Sequence, residues 1–262
     1  MGRFENRVVV VTGGALGIGR CLCGAFAAEG ASVAFLDWDA EAGEAFLPVL
    51  QQTSPDAFFM AGDAADPRVL EAFAGAVRDR YGRVDALVNN ACFSNRGLLS
   101  GCSWEDFNEI LKVGVAAPYY LTSLFLPVFG EGASVLNISS TRALQSQADT
   151  ESYSAAKGGI TALTHAMAAS LRGRVRVNAI APGWIDTATC HPGSPEPVYR
   201  EADCRQHPSG RVGEPGDIAR AALFLCDPAN SFIDGEMLVV DGGMTRQMIY
   251  HADEGWSLGH GE

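Results

Sequence analysis

Residues 8–19 read VVVVTGGALGIG, an apolar β-branched run that breaks into a turn rich in glycine. Four valines in a row leave no wet face, as in a strand buried on both sides of a parallel sheet. The next residues, RCLCGAFAAEG at 20–30, follow a helical pattern. Glycines at 13, 17 and 19 permit a tight turn, close approach of backbone to a pyrophosphate, and tight packing of helix on sheet. The helix N-terminus then faces the anion. The spacing is GxxxGxG rather than the GxGxxG fingerprint, so the physical logic rather than the literal motif carries the dinucleotide reading. Gly13, Leu16, Gly17, Ile18 and Gly19 are the candidate binding residues of this turn.

Working outward, similar runs recur at 32–37, 57–61, 86–90, 134–139, 175–180 and 237–241, each but the last followed by a helix-like segment. This alternation indicates an α/β fold, one parallel sheet with helices on both faces. The right-handed crossover rule makes it doubly wound. No linker or internal repeat divides the 262 residues, so they read as one domain, 1–262. Two regions are irregular. Residues 187–214, rich in Pro, Gly and charge, read as a long mobile excursion, either a substrate loop or a solvated one, before a helix with Pro215 in its first turn. The tail 244–262 reads either as a frayed terminus or as a subunit contact.

Composition narrows the partners. With 31 acidic and 19 basic residues the formal charge is −12, which disfavours nucleic acid and anionic membranes and favours a small molecule. The apolar start is too short for a signal segment and no later run is long enough to span a bilayer, which points to a cytoplasmic protein. Seven cysteines (21, 23, 92, 102, 190, 204, 226) contain no CxxC pair, so neither zinc nor a disulfide framework is suggested. Cys190 beside His191 is too small a fragment to read as a metal site.

The second strand ends in Asp37, 18 residues beyond Gly19, near the distance at which an acid meets the adenosine ribose hydroxyls. A carboxylate there repels a 2′-phosphate, and neither the turn nor Trp38 offers a cation, so NAD is favoured over NADP. The plainer reading of Asp37 is a loop acid, with Asp39 capping the next helix. Further on, Tyr153 and Lys157 stand four residues apart and so share a helical face. That pair alone is common in amphipathic helices.

Taken together, TGGALGIG (12–19), GDAAD (62–66), VNNA (88–91), Ser140 followed by YSAAK (153–157), VRVNAIAPGWIDT (175–187) and VDGG (240–243) resemble the short-chain dehydrogenase/reductase family. The match runs in order over roughly residues 4–243. The resemblance implies a Rossmann-type domain with a seven-stranded parallel sheet, assembled as a homotetramer or homodimer. It implies catalytic roles for Ser140, Tyr153 and Lys157, with Ser140 chosen over Ser139 by its spacing of 13 to Tyr153. Asp63 and Ala64 then lie against the adenine, Asn90 near its ribose, and Ile185 and Thr187 against the nicotinamide carboxamide. Tyr153 takes the proton from a substrate alcohol as hydride passes to NAD, Ser140 holds the substrate oxygen, and Lys157 stabilises the phenolate and holds the nicotinamide ribose. A lysine charge about 4 Å away contributes roughly 4 kcal/mol at an effective dielectric of 20 but only about 1 in bulk water, so the chemistry requires a shielded site.

Two positions depart from the family pattern. Gly114 in FNEILKVGVAAPYYLT (107–122) stands where the family usually has an asparagine whose main-chain carbonyl helps hold a relay water near the lysine. It keeps the carbonyl, loses the side chain, and costs about 1 kcal/mol relative to alanine inside a helix. Cys92 replaces the glycine usual after NNA and is expected to pack as a small hydrophobe near the cofactor cleft. Substrate candidates are Ser140, Tyr153, Gln147 and Trp184, with Arg142, Leu144, Phe93 and the loop at 188–210 nearby; the mixture suits a cyclic alcohol, polyol or sugar. The leading expectation is an NAD-dependent alcohol dehydrogenase or carbonyl reductase acting on a small alcohol or ketone. The alternative is an NAD(H)-binding sensor or interaction protein with weakened catalysis, for which Gly114 is the one positive sign.

Overall fold

In a computed structural model of the chain, which describes residues 2–94, 96–248 and 250, seven strands form one parallel sheet in the order β3-β2-β1-β4-β5-β6-β7. The strands are β1 Val8–Thr12, β2 Ser32–Asp37, β3 Phe58–Ala61, β4 Val84–Asn89, β5 Phe129–Ile138, β6 Arg176–Pro182 and β7 Met237–Val240. All seven apolar runs of the sequence become strands. The largest difference is β5, which begins at Phe129 instead of 134. Residues 129–132, FGEG, carry no strand pattern. They are drawn in by pairing with β4, where the Val84 N–H donates to the Val128 carbonyl (2.9 Å) and Phe129 sits opposite Val84 before a register shift.

Strand order reverses between β1 and its neighbours β2 and β4. Loops at the carboxyl ends of β1 and β4 therefore diverge, opening a crevice at the switch point of the sheet. Helices fill both faces. On one, α1 (Gly17–Ala28) packs against α8 (Pro215–Cys226), burying Leu22, Phe26, Ile218 and Ala222 against Val9, Val11 and Phe35 of the sheet. On the other, α3 (Pro67–Tyr81) and α5 (Ala117–Phe125) bury Phe73, Val77, Leu121 and Phe125 over Val10, Leu87 and Val135. Each such fully buried large apolar side chain is worth about 1.5–3 kcal/mol. α6 (Glu151–Ser170) packs on β6 and on α4 (Trp104–Leu111).

Local chemistry sets the helix starts. Asp39 accepts from the Ala42 N–H ahead of α2 (Ala40–Leu50), and Asp66 from Arg68 N–H ahead of Pro67 at the start of α3. The irregular stretch at 187–214 holds a short helix, α7 (Glu201–Arg205), whose Asp203 accepts from the Arg200 N–H. Of the tail, Met244–Arg246 form a single 3-10 turn; Ile249 and residues 251–262 lie outside the described residues. Among the described residues no helix is long and apolar enough to cross a membrane.

The end of the 187–214 segment is tied to α8 by Asp217, which accepts from Arg211 (2.7 Å twice) and from the Glu214 N–H (2.9 Å). The Arg211 guanidinium holds the Asp217 carboxyl well below the usual carboxylate range. A depressed folded pKa stabilises the fold above the unfolded carboxylate value, near 3.9, and that stabilisation is lost as pH falls through the folded value. Asp217→Asn is therefore expected to lower the melting temperature at pH 7 by about 2–4 °C, the equivalent of roughly 1 kcal/mol in a chain of this size. In thermal melts the gap to wild type should shrink as the pH drops below about 4.

Candidate active site

The crevice is built on the turn between β1 and α1. Gly13 (φ 65°) and Gly17 (φ 58°) take left-handed conformations, and a Cβ at Gly19 would stand 1.8 Å from the Gly13 carbonyl oxygen. α1 begins after Leu16 with no side chain capping it, leaving its leading N–H groups for another acceptor. Asn90, beyond β4, clamps the turn: its Nδ2 donates to the carbonyls of Thr12 (3.0 Å) and Gly13 (2.9 Å). Thr12 Oγ1 in return accepts from the N–H groups of Asn90 and Ala91, both at 3.1 Å. Asn90 lines the cleft, but its amide is committed to the turn.

The cleft encloses about 500 Å³. Its walls include Gly13, Leu16, Gly17, Ile18, Asp37, Asp63, Ala64, Asn90, Ile185 and Thr187, together with Ser140, Tyr153 and Lys157. At one end the Asp37 carboxylate accepts from the N–H of Ala15 (2.9 Å) and of Asp39 (3.0 Å), which fixes it against the phosphate turn. Asp39 also caps α2, so the plainer role and the binding position coexist. Asp63 Oδ1 accepts from the Ala65 N–H (2.8 Å) beside Ala64. An uncapped helix N-terminus, a turn that excludes side chains and a fixed carboxylate fit a nicotinamide dinucleotide.

At the other end the reactive side chains meet. Lys157 is buried, 4% exposed, and its Nζ donates to the Ile138 carbonyl (2.7 Å) while standing 5.3 Å from the centre of the Tyr153 ring. Ser140 lies two residues beyond β5 and caps the 3-10 turn Thr141–Ala143, its Oγ accepting from the Arg142 N–H (3.1 Å). Ser139 Oγ instead meets the Lys157 carbonyl (3.1 Å) and Thr161 Oγ1 (2.7 Å), binding β5 to α6.

One contributor has no counterpart among the candidates drawn from the sequence. A buried chain runs from Asn89 Nδ2 to Asn137 Oδ1 (2.8 Å) and from Asn137 Nδ2 to Thr164 Oγ1 (3.0 Å), linking β4, β5 and α6 beneath the reactive groups. Its signal was two asparagines inside apolar strands, VNN and VLNIS. Of the substrate candidates, Phe93 and, from the loop at 188–210, His191 line the cleft, and Trp38 joins them as a near-parallel ring partner of Phe93, 6.0 Å apart at 14°.

Gln147 and Trp184, both candidates for substrate contact, lie off the cleft wall. Gln147 is exposed and receives the Arg142 guanidinium. Trp184 is drawn to aromatic neighbours in the 187–214 segment, packing edge-on to Tyr199 (6.3 Å) and against His207 (6.0 Å).

Gly114 lies within a π-helical turn, Lys112–Ala116, between α4 and α5, so its cost is not that of a glycine in an α-helix. Such turns are often found at functional sites. A Cβ at Gly114 would lie 3.0 Å from Ala156 Cβ and 3.3 Å from Cys92 Sγ. The two departures from the family pattern are thus in contact: the Cys92 thiol stands beside the room that a side chain at 114 needs. Gly114→Asn alone is expected to lower the melting temperature by about 2–4 °C, or roughly 1 kcal/mol. Adding Cys92→Gly should recover at least about half of that loss, a coupling that a double-mutant cycle measures and that additive effects would refute.

The comparisons agree with this geometry. A family model described as Enoyl-(Acyl carrier protein) reductase matches residues 13–245. An uncharacterized oxidoreductase of Thermotoga maritima is 40% identical over 94% of this chain and 99% of its own. The L-fucose dehydrogenase of Mus musculus is 36% identical over 92% of this chain and 89% of its own. Among solved structures, an apo SCOR enzyme from Clostridium thermocellum superposes with a TM-score of 0.87 at 43% identity, covering 97% of this chain and 99% of that one. The chain belongs to the short-chain dehydrogenase/reductase family and is an oxidoreductase of that class.

Proposed function

We propose that the protein is an NAD-dependent oxidoreductase that interconverts a secondary alcohol, cyclic, polyol or sugar-like, and its ketone. The observation that carries this reading is that Ser140, Tyr153 and Lys157 line the same cleft as the phosphate turn and Asp37. A nicotinamide dinucleotide bound there supplies the carbon that accepts or donates hydride. The Ser140 hydroxyl holds the substrate oxygen, and the Tyr153 hydroxyl takes or returns its proton. The buried Lys157 ammonium, fixed by the Ile138 carbonyl beside the Tyr153 ring, would hold the nicotinamide ribose. Asp37 supports NAD over NADP, because a 2′-phosphate meets repulsion from a carboxylate already held by two N–H donors, while the Arg20 guanidinium of the same turn is engaged by the Ala15 carbonyl (3.2 Å) and the Phe46 ring. The 36% identity to an L-fucose dehydrogenase supports a sugar-like substrate.

The same reading takes residues 1–262 as one dinucleotide-binding domain with 187–214 as its substrate loop, in a cytoplasmic homotetramer or homodimer. In support, the outward face of α6 is rich in small residues: Ala155, Ala162, Ala166 and Ala169 are exposed, with His165 among them, and a Cβ at Gly158 would meet open space.

Nicotinamide absorbance at 340 nm over a panel of sugars, polyols, cyclic alcohols and acyl thioesters tests the reading. Tyr153→Phe is expected to cut turnover by about 10²–10⁴-fold while NAD still binds. Retention of most of the turnover in that variant would remove Tyr153 from the mechanism. Asp37→Ala is expected to narrow the preference for NAD over NADP in kcat/KM by about tenfold or more, equivalent to about 1.4 kcal/mol.

A further inference from the structure

Two thiols outside this chemistry face each other at the lip of the cleft. After β6 the chain makes a 3-10 turn, Ala188–Cys190, that packs on α1. The contact is fixed at its start: a Cβ at Gly17 would lie 3.6 Å from His191 Cε1 and 3.7 Å from Thr187 Cγ2. Cys21 is four residues beyond Gly17, one turn along the same face of α1, so it is presented to the same segment. There the thiols of Cys21 and Cys190 meet where the Ala188–Cys190 turn packs on α1. The Cys190 turn is held by its N–H donating to the Thr187 carbonyl (2.8 Å) and by His191 Nδ1 against that same carbonyl (2.9 Å). Both thiols are half-buried, so a small oxidant reaches them, whereas Cys23 and Cys226 are fully enclosed.

We propose that Cys21 and Cys190 form a peroxide-reactive thiol pair, with Cys190 the attacking sulfur and Cys21 the resolving one, whose disulfide fastens residues 187–191 to α1. The direction follows from the surroundings. The neighbouring Cys21 thiol, then the Thr189 hydroxyl, which donates to Cys190 Sγ (4.0 Å), and the Arg20 charge lower the Cys190 thiol against the opposing effect of burial. The Cys21 thiol is pushed well up by the neighbouring Cys190, by burial and by Glu214, against a smaller opposing effect of Arg220. The Cys190 thiolate attacks a hydroperoxide oxygen and the O–O bond breaks, leaving a sulfenic acid and, with one proton taken up, water. Cys21 sulfur then attacks Cys190 sulfur; the S–S bond forms, the S–O bond breaks, and the hydroxyl leaves with the Cys21 proton as a second water. The two thiols give up two electrons and two protons to one peroxide. Thr187 and His191 line the cleft, so the bond fixes part of its wall. Any effect on dinucleotide affinity rests on the reading given above; formation of the bond does not.

The test uses the full chain treated with a small molar excess of hydrogen peroxide, then alkylated and digested without reduction for mass spectrometry. A peptide joining Cys21 to Cys190, reversed by dithiothreitol, is the expected product. Cys190 should react at least about tenfold faster than the half-buried Cys102 and Cys204. Cys21→Ser should leave a sulfenic acid on Cys190 that dimedone traps, and Cys190→Ser should leave Cys21 reduced. Oxidation of Cys190 no faster than that of Cys102 and Cys204, or a sulfenic acid at Cys190 in the wild type that never passes to Cys21, would overturn the proposal. Loss of hydride transfer in untreated wild type would count against the catalytic reading alone.

Discussion

Everything in the site depends on how closely two strands of backbone approach at the carboxyl end of β1. The Gly13 carbonyl occupies the space in which any side chain at Gly19 would stand, and the Asn90 amide draws the same carbonyl toward β4. The approach shapes the phosphate turn, sets where α1 starts and joins the diverging halves of the sheet at one point. An added Cβ at 19 must displace backbone, for which a packed interior has little slack. Asp37 is held by Ala15 of this turn, so the far end of the cleft is positioned by it as well.

A second fixed frame lies under the reactive groups. Asn89, Asn137 and Thr164 carry a polar connection through an otherwise apolar layer, and breaking either of its hydrogen bonds would add further unpaired buried groups to Asn89 Oδ1, which already lacks a partner. Lys157 and Ser139 add two further ties between α6 and β5, through the Ile138 and Lys157 carbonyls. Tyr153, one turn before Lys157, is therefore set by the sheet rather than by a loop. The Gly114 turn packs against the same helix, where a Cβ at 114 would stand 3.0 Å from Ala156 Cβ, so glycine in place of the family asparagine lets the turn lie close against α6.

Much of this was legible in the chain because it rests on local rules. The period of the apolar runs gave all seven strands, and Pro215 and Asp39 marked helix starts through N–H groups they lack or cap. Asp37 and the glycine turn were readable because their spacing follows from one strand–helix–strand unit. What escaped was non-local. The start of β5 is imposed by β4, the asparagine chain needs three elements in register, and the position of Trp184 depends on Tyr199 and His207 folding back over it. Neither the contact between Cys92 and the space at Gly114 nor that between Cys21 and Cys190 has any signature in sequence separation.

The most direct test of the account is calorimetric titration of NADH into Gly19→Ala, paired with a thermal melt of the same sample. Gly19 does not line the cleft, so its substitution acts through the turn alone. The account predicts a folded protein whose affinity for NADH falls by at least about tenfold, or about 1.4 kcal/mol. A Gly19→Ala protein that melts and binds NADH as wild type does would contradict it.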